Sequence, residues 1–302
     1  MLAVGGLATL LFAIIEAPAR GWFSGQTLGA VVVSAAFLST FVWWELRCDH
    51  PMLDVRLFKN RSFAIGSSTI TLQYMAMFGL YFALAQYLQF AHGYSALETA
   101  MIGLPIGIFA MIGAPVSARS VGRFGPRRVV GTGLLVSGTG LALLGVTSSA
   151  TVSAVVIVGA FCLVGLGNGQ TTAPSTTLIM GAVPRAKSGV GSAVNDLSRE
   201  MGGALGIAVL GSVLASIYRA EIVHRLAAVP AGVREQARTS VVATFHSADA
   251  AAKGGHPAMA QFLAQQGREA FALAFGRTML LGSVVIFLNA AIDQRARLPS
   301  RG

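Results

Sequence analysis

Residues 189–215 read GVGSAVNDLSREMGGALGIAVLGSVLA, and their pattern decides the fold. A polar knot of Asn195, Asp196, Arg199 and Glu200 runs without a break into a glycine-rich apolar stretch. Charged groups at the end of a membrane span are costly, and they face protein or water rather than lipid. Gly202 and Gly206 lie one helical turn apart, and Gly211 with Ala215 repeats the spacing. Small residues at that interval let a second helix approach closely. The stretch therefore predicts a membrane helix packed inside a bundle, with ionic groups at one end.

The rest of the chain fits that environment. Its 302 residues are 54% hydrophobic and only 11% charged, against roughly 25% charged in soluble domains. The net charge of +10 comes from basic residues in short segments between apolar runs. No continuous basic face forms, so nucleic acid is not expected as a partner. Cys48 and Cys162 have no metal-ligand spacing, and the five histidines are scattered through loops. No metal or other cofactor is expected. There is no G-x-S-x-G, no phosphate-binding loop and no carboxylate pair within a span, so an enzyme is not expected either.

A bilayer core takes about 20 apolar residues per helix. Eight segments qualify: Leu2–Glu16, Thr27–Trp44, Phe63–Leu88, Leu97–Ser117, Val129–Val146, Val152–Met180, Ala193–Tyr218 and Phe275–Ile292. Lys and Arg in short loops mark the cytoplasmic side. They gather after the second span (Arg47, Arg56, Lys59, Arg61), the fourth (Arg119, Arg123, Arg127, Arg128), the sixth (Arg185, Lys187, Arg199) and in the tail (Arg295, Arg297, Arg301). The intervening short loops hold only Arg20. The alternation predicts a multi-pass protein of the cell membrane with both termini cytoplasmic. The segment 219–275 then falls outside, as a partly amphipathic loop whose Phe262, Phe271 and Phe275 lie on the membrane, cap the bundle or belong to a solvated linker.

Several segments resemble, in order, the C-terminal part of a major facilitator superfamily transporter, specifically the fourteen-helix drug:proton antiporter group (EmrB/QacA-like). FAIIEAPARGW (Phe12–Trp22) resembles the turn between that group's two central helices, and HPMLDVRLFKNRSFA (His50–Ala64) its cytoplasmic linker. SARSVGRFGPRRVV (Ser117–Val130) resembles the basic loop motif, with Gly122 where an acid is usual and Ala118 in place of a glycine. VGLGNGQTTAP (Val164–Pro174) resembles the fourth helix of the second half, and 189–215 its fifth.

The resemblance implies an all-α polytopic fold: two linker helices and a cytoplasmic linker over 1–61, one six-helix bundle over 62–294, and a basic tail over 295–302. It also implies six further helices before Leu2 that carry the coupling carboxylate. The implied function is proton-coupled efflux of drugs or other hydrophobic or cationic small molecules. The partners would be the bilayer, the substrate, protons and the missing N-terminal half. The alternative is a truncated, non-transporting membrane scaffold or remnant.

Gln73, Met77 and Tyr81 stand at steps of four and are expected to share one helix face, with Tyr74 beside them. By the resemblance their helix lines the central cavity, where an adaptable Met with aromatic and amide groups suits amphipathic substrates. Interhelical packing is the other reading. Asn168 lies mid-membrane and faces either substrate or a neighbouring helix. Gly165 and Gly169, like Gly202 and Gly206, are helix-packing positions, the second pair against the Gly-rich sixth span. Asp196 and Arg199 are spaced i,i+3 to pair, either as a latch at the cytoplasmic mouth or as a static ion pair. Asn195 caps the helix or bridges to the basic loop.

Overall fold

The structure is a computed structural model that describes residues 1–48, 51, 53–185 and 188–295. The tail from 296 onward, including Arg297 and Arg301, and also Asp49, His50, Met52 and Lys187, lie outside the described residues, as does the side chain of Arg295.

Ten α-helices are present among the described residues: α1 (Leu2–Arg20), α2 (Gly25–Arg47), α3 (Arg61–Gln86), α4 (Ala96–Phe124), α5 (Pro126–Thr147), α6 (Ala154–Gly181), α7 (Ser188–Arg225), α8 (Ala231–Thr239), α9 (Val241–Lys253) and α10 (Pro257–Arg295). Eight of them, all but α8 and α9, are long and apolar enough to cross a membrane. A 3-10 turn at Val55–Lys59 precedes α3, and a π turn at Tyr87–Ala91 follows it.

Local chemistry sets the ends. Ser24 caps α2, Asn60 caps α3, and Ser95 with Glu98 closes a reciprocal capping box at α4. Each cap satisfies amide donors that have no partner within the helix. Between α4 and α5 a single residue, Gly125, takes φ 81°, and Pro126 begins the next helix. The basic loop expected at Ser117–Val130 is therefore almost entirely helical. Arg119 and Arg123 end α4, while Arg127 and Arg128 open α5. The pivot needs only one residue that tolerates positive φ, followed by one preset for a helix start.

The spans also run longer than their apolar cores. At 38 and 39 residues, α7 and α10 measure nearly 60 Å at 1.5 Å per residue, about twice the hydrocarbon thickness. The expected outer loop is mostly helix. The end of α7, α8, α9 and the start of α10 form a cap whose Tyr218, Ile222, Leu226, Val241, Leu263 and Phe271 continue the core of the bundle. Tyr218 and Thr244 share a hydroxyl hydrogen bond of 2.6 Å inside it. Phe271 and Phe275 are fully buried, whereas Phe262 is exposed. Hydrophobic periodicity continues past the membrane here, and a span window cannot register where it leaves the bilayer.

In the bundle, α3 lies between α6, α7 and α10, α5 packs on α6 and α10, and α4 lies against α6. The α1–α2 hairpin joins the bundle mainly through α1 and α7. There the Ser212 hydroxyl donates to the Ile14 carbonyl at 2.7 Å. Exposed Leu28, Val32, Phe37, Trp43 and Trp44 on α2, and Leu97, Met101, Leu104, Ile108 and Met111 on α4, make apolar faces suited to lipid or to other membrane helices.

Candidate functional site

The decisive geometry is the way α3 divides its side chains. Gln73 and Met77 point into the bundle, 1% and 6% exposed. The Gln73 amide donates to the Ser137 hydroxyl of α5 at 3.0 Å and to Asn168 Oδ1 of α6 at 3.5 Å. Tyr81 is 43% exposed and does not share their face. Eight residues at about 100° each leave Tyr81 roughly 80° away from Gln73, whereas Tyr74 and Tyr81 align within roughly 20°. The outward stripe is therefore Tyr74, Phe78 and Tyr81. Tyr74 stacks near Phe78 at 6.2 Å, and Phe78 meets Tyr81 edge-on at 6.4 Å.

Beside this stripe runs a polar ladder on α6. Asn168, Thr172 and Thr176 recur every fourth residue, each about one turn from the next, so the row winds some 80° around the helix from Asn168 to Thr176. Asn168 Oδ1 accepts from Gln73 and, at 3.4 Å, from the Thr172 hydroxyl. The Thr176 hydroxyl donates to Asn195 Oδ1 of α7 at 2.9 Å. The Asn195 amide in turn donates to Asp196 Oδ1 at 3.4 Å. Arg199 donates from Nη2 to the Thr176 hydroxyl at 3.4 Å, and its guanidinium lies 5.4 Å from the centre of the Tyr74 ring.

Asp196 and Arg199 do not form the expected ion pair. Arg199 turns toward α3 and α6, and among the described residues exposed Asp196 has the Asn195 amide as its partner. Asp196 also lacks the helix-start position that would favour it, because α7 begins at Ser188 with no acid in its first turn. Asn195 neither caps the helix nor reaches the basic segment; its partners are Thr176 and Asp196.

The glycines set how closely these helices meet. A Cβ on Gly165 or Gly169 would strike the Ile106 or Ala110 carbonyl of α4. One on Gly202 or Gly206 would strike the Thr71 or Met75 carbonyl of α3. Gly202 and Gly206 therefore pack against α3 and not against the Gly-rich α6. Spacing alone identifies a close-contact face but does not say which helix comes to it.

Of the four arginines at the α4–α5 turn, Arg119, Arg123 and Arg128 are exposed, with Arg123 over the Phe124 ring at 5.3 Å. Arg127 alone turns inward. Its guanidinium lies 3.9 Å from the carboxylate of Asp293, which is 1% exposed, and also donates to the Asp293 backbone carbonyl.

Residues 1–207 match the sequence profile described as Major Facilitator Superfamily. The chain belongs to the Major Facilitator Superfamily. Other superfamily proteins align with it over most of its length. The Multidrug resistance protein Stp of Mycobacterium tuberculosis is 34% identical over 80% of this chain and 45% of its own. The Multidrug efflux pump LfrA of Mycolicibacterium smegmatis is 29% identical over 92% of this chain and 54% of its own. The Tetracenomycin C resistance and export protein of Streptomyces glaucescens is 30% identical over 72% of this chain and 40% of its own. This chain thus spans about half the length of the curated relatives it matches. A solved bacterial homologue of the human lysosomal transporter Spinster, inward-facing and occupied, has the same fold, with a TM-score of 0.60, 20% identity and coverage of 99% of this chain and 68% of its own.

Within this Major Facilitator Superfamily chain, the sequence reading missed Phe78, Ser137, Thr176 and Asp293. The signal for Phe78 was the i,i+4,i+7 aromatic spacing with Tyr74 and Tyr81. For Thr176 it was the four-residue repeat from Asn168. For Asp293 it was an acid four residues after Asn289, at the close of an apolar run.

Proposed function

We propose that this chain is the C-terminal half of an exporter of hydrophobic small molecules, driven by proton entry and built on the fourteen-helix plan. The observation that carries the reading is the face made by α3, α6 and α7. Aromatic rings at Tyr74, Phe78 and Tyr81 stand there beside Asn168, Thr172, Thr176 and Arg199. A face turned to lipid would not carry a guanidinium and a run of amide and hydroxyl groups, because each would lose its water without full replacement. Polar groups set among adaptable aromatic surface suit a cavity that holds varied amphipathic molecules. The drug-resistance and export names of the relatives point the same way.

On this reading the arginine-rich end, with Arg47, Arg123, Arg127, Arg128 and Arg185, is cytoplasmic. Proton coupling is assigned to a first half, and Asn195 and Arg199 mark the inner mouth of the cavity. Gln73 and Met77 act behind the cavity wall, Gln73 by holding Asn168 in place.

The test uses everted membrane vesicles that carry this chain either alone or joined to the six-helix half expected before Leu2. The joined protein should expel the neutral dye N-phenyl-1-naphthylamine when the membrane is energised and stop when a protonophore is added. Unchanged dye retention by the correctly inserted joined protein would remove the exporter reading. Efflux by the chain alone would remove the need for the other half.

A further inference from the structure

We propose that Arg199, together with the Tyr74–Phe78–Tyr81 stripe, is a recognition point for aromatic molecules that carry an acidic group. This rests on the reading of the α3–α6–α7 face as a substrate cavity and narrows its substrate class.

Among the described residues, Arg199 is the charged group whose contacts join all three helices of that face. Its guanidinium lies over Tyr74 of α3 at 5.4 Å, and Nη2 makes one hydrogen bond of 3.4 Å to Thr176 of α6. Nε is buried without a hydrogen-bond partner, as Nε of Arg127 and of Arg219 also is. A guanidinium carries five N–H donors in a planar fork, and one long bond to a hydroxyl leaves most of that fork unused. No carboxylate pairs with it among the described residues. Asp196 and Glu200 on its own helix are both exposed and make no ion pair with it.

This contrasts with Arg225, which pairs with Glu221 at 2.8 Å and Glu269 at 2.6 Å, and with Arg127, which has Asp293. At these two arginines the fold itself supplies an acid. At Arg199 the acid is missing, and the geometry suits one brought by a ligand. A planar carboxylate or a similar oxyanion accepts two parallel bonds from such a fork.

The same contacts disfavour a cationic substrate. An aromatic face attracts a cation through its quadrupole, but at Tyr74 the chain's own guanidinium already lies over the ring. A second positive group there would meet the repulsion of that guanidinium. Phe78 and Tyr81, 41% and 43% exposed, continue the stripe for some two helical turns. That is enough surface for an aromatic ring system whose acidic group is held at Arg199.

The test is binding of three matched probes, 2-naphthoate, 2-naphthylmethanol and 2-naphthylmethylammonium, to the full chain in nanodiscs by equilibrium dialysis, with empty nanodiscs subtracted. The carboxylate should bind about tenfold more tightly than the alcohol, the size of one charge-assisted contact, and the ammonium more weakly than the alcohol. Arg199→Gln should bring the carboxylate level with the alcohol while alcohol binding persists. Arg199→Lys should keep part of the preference. Tyr74→Leu should weaken all three probes together. An ammonium that binds best, or a carboxylate preference that survives Arg199→Gln, overturns the proposal. Because the three probes already differ on the unaltered chain, the outcome does not depend on any variant folding. Failure of all three to bind would instead remove the cavity, and this proposal with it.

Discussion

Two sides of the bundle use the same ingredients to opposite ends. Along α5, α6 and α10, polar and charged groups are turned into the protein, with Arg127 beside a fully buried Asp293 and Ser137 hydrogen-bonded to Gln73. Along the outward faces of α3 and α7, Arg199 lies over Tyr74 with one long hydrogen bond, and Asp196 is left to solvent. Burying a charge and then removing its partner is expensive, whereas removing a weakly bonded charge that leaves no buried opposite charge behind is not. The first arrangement therefore reads as construction and the second as a surface kept available.

The sharpest way to break that contrast is to delete each arginine. Arg127→Leu leaves the Asp293 carboxylate buried alone and should lower stability by about 3 kcal/mol, read as earlier thermal unfolding in detergent. Arg127→Leu with Asp293→Leu should recover most of the loss, because no charge then remains inside. Arg199→Leu should cost less than about 1 kcal/mol, since it leaves no buried partner behind. Equal losses for the two single variants would erase the distinction between a structural and an available arginine.

The next test concerns backbone contact. A Cβ on Gly167 would run into the Gly133 carbonyl and the Ser137 amide of α5, whereas one on Gly203 of α7 would meet only the Phe78 ring, at 3.2 Å. Backbone cannot give way as a surface ring can. Gly167→Ala should destabilise by about 1–3 kcal/mol through overpacking. Gly203→Ala should be close to neutral, helped by the roughly 1 kcal/mol that alanine gains over glycine in a helix. Reversal of that order, measured by the same unfolding assay, would show that the outward stripe is the rigid side.

Gln73 connects the two sides and should show an intermediate effect. Gln73→Leu removes the bonds to Ser137 and Asn168 and leaves the Ser137 hydroxyl buried without that partner. The expected loss is about 1 kcal/mol, the scale of one interhelical hydrogen bond in a membrane. Asn168, no longer held from behind, should also make binding of the naphthyl probes less tight. Lower stability with unchanged probe binding would confine Gln73 to the sealed side.

How far the sequence could reveal this layout depended on which quantity was local. The eight long apolar helices and the clustering of arginine at alternate turns follow from composition along the chain and were legible. Gly165, Gly169, Gly202 and Gly206 were legible as close-contact positions, because small residues one turn apart have few other uses in a membrane helix. The partner of each glycine pair was not, since Thr71 and Met75 meet α7 only through tertiary placement. The face of α3 was misjudged for a geometric reason: steps of four drift around a helix of 3.6 residues per turn, so Tyr81 leaves the Gln73 face. Asp293 escaped notice because an acid at the end of an apolar run reads as the start of solvent, and its burial depends on Arg127, which lies far away in sequence.

Asp196 provides the smallest and most discriminating effect. The i,i+3 spacing with Arg199 suggests a latch, yet in the folded chain the acid is exposed and, among the described residues, meets the Asn195 amide, at 3.4 Å. An acid of this kind contributes little, so Asp196→Asn should leave thermal unfolding within about 0.5 kcal/mol of the parent. Because the Arg199 fork is not paired with Asp196, the same change should also leave the carboxylate preference of the naphthyl probes in place. Suppose instead that Asp196→Asn raised carboxylate binding several-fold with stability unchanged. Asp196 would then be competing with the ligand for Arg199 in a second arrangement of α7, and the outward face would carry an exchangeable ion pair. Suppose it lowered stability as far as Arg127→Leu does. The open side would then be held together by charge just as the sealed side is, and the contrast between them would fail at its most exposed residue.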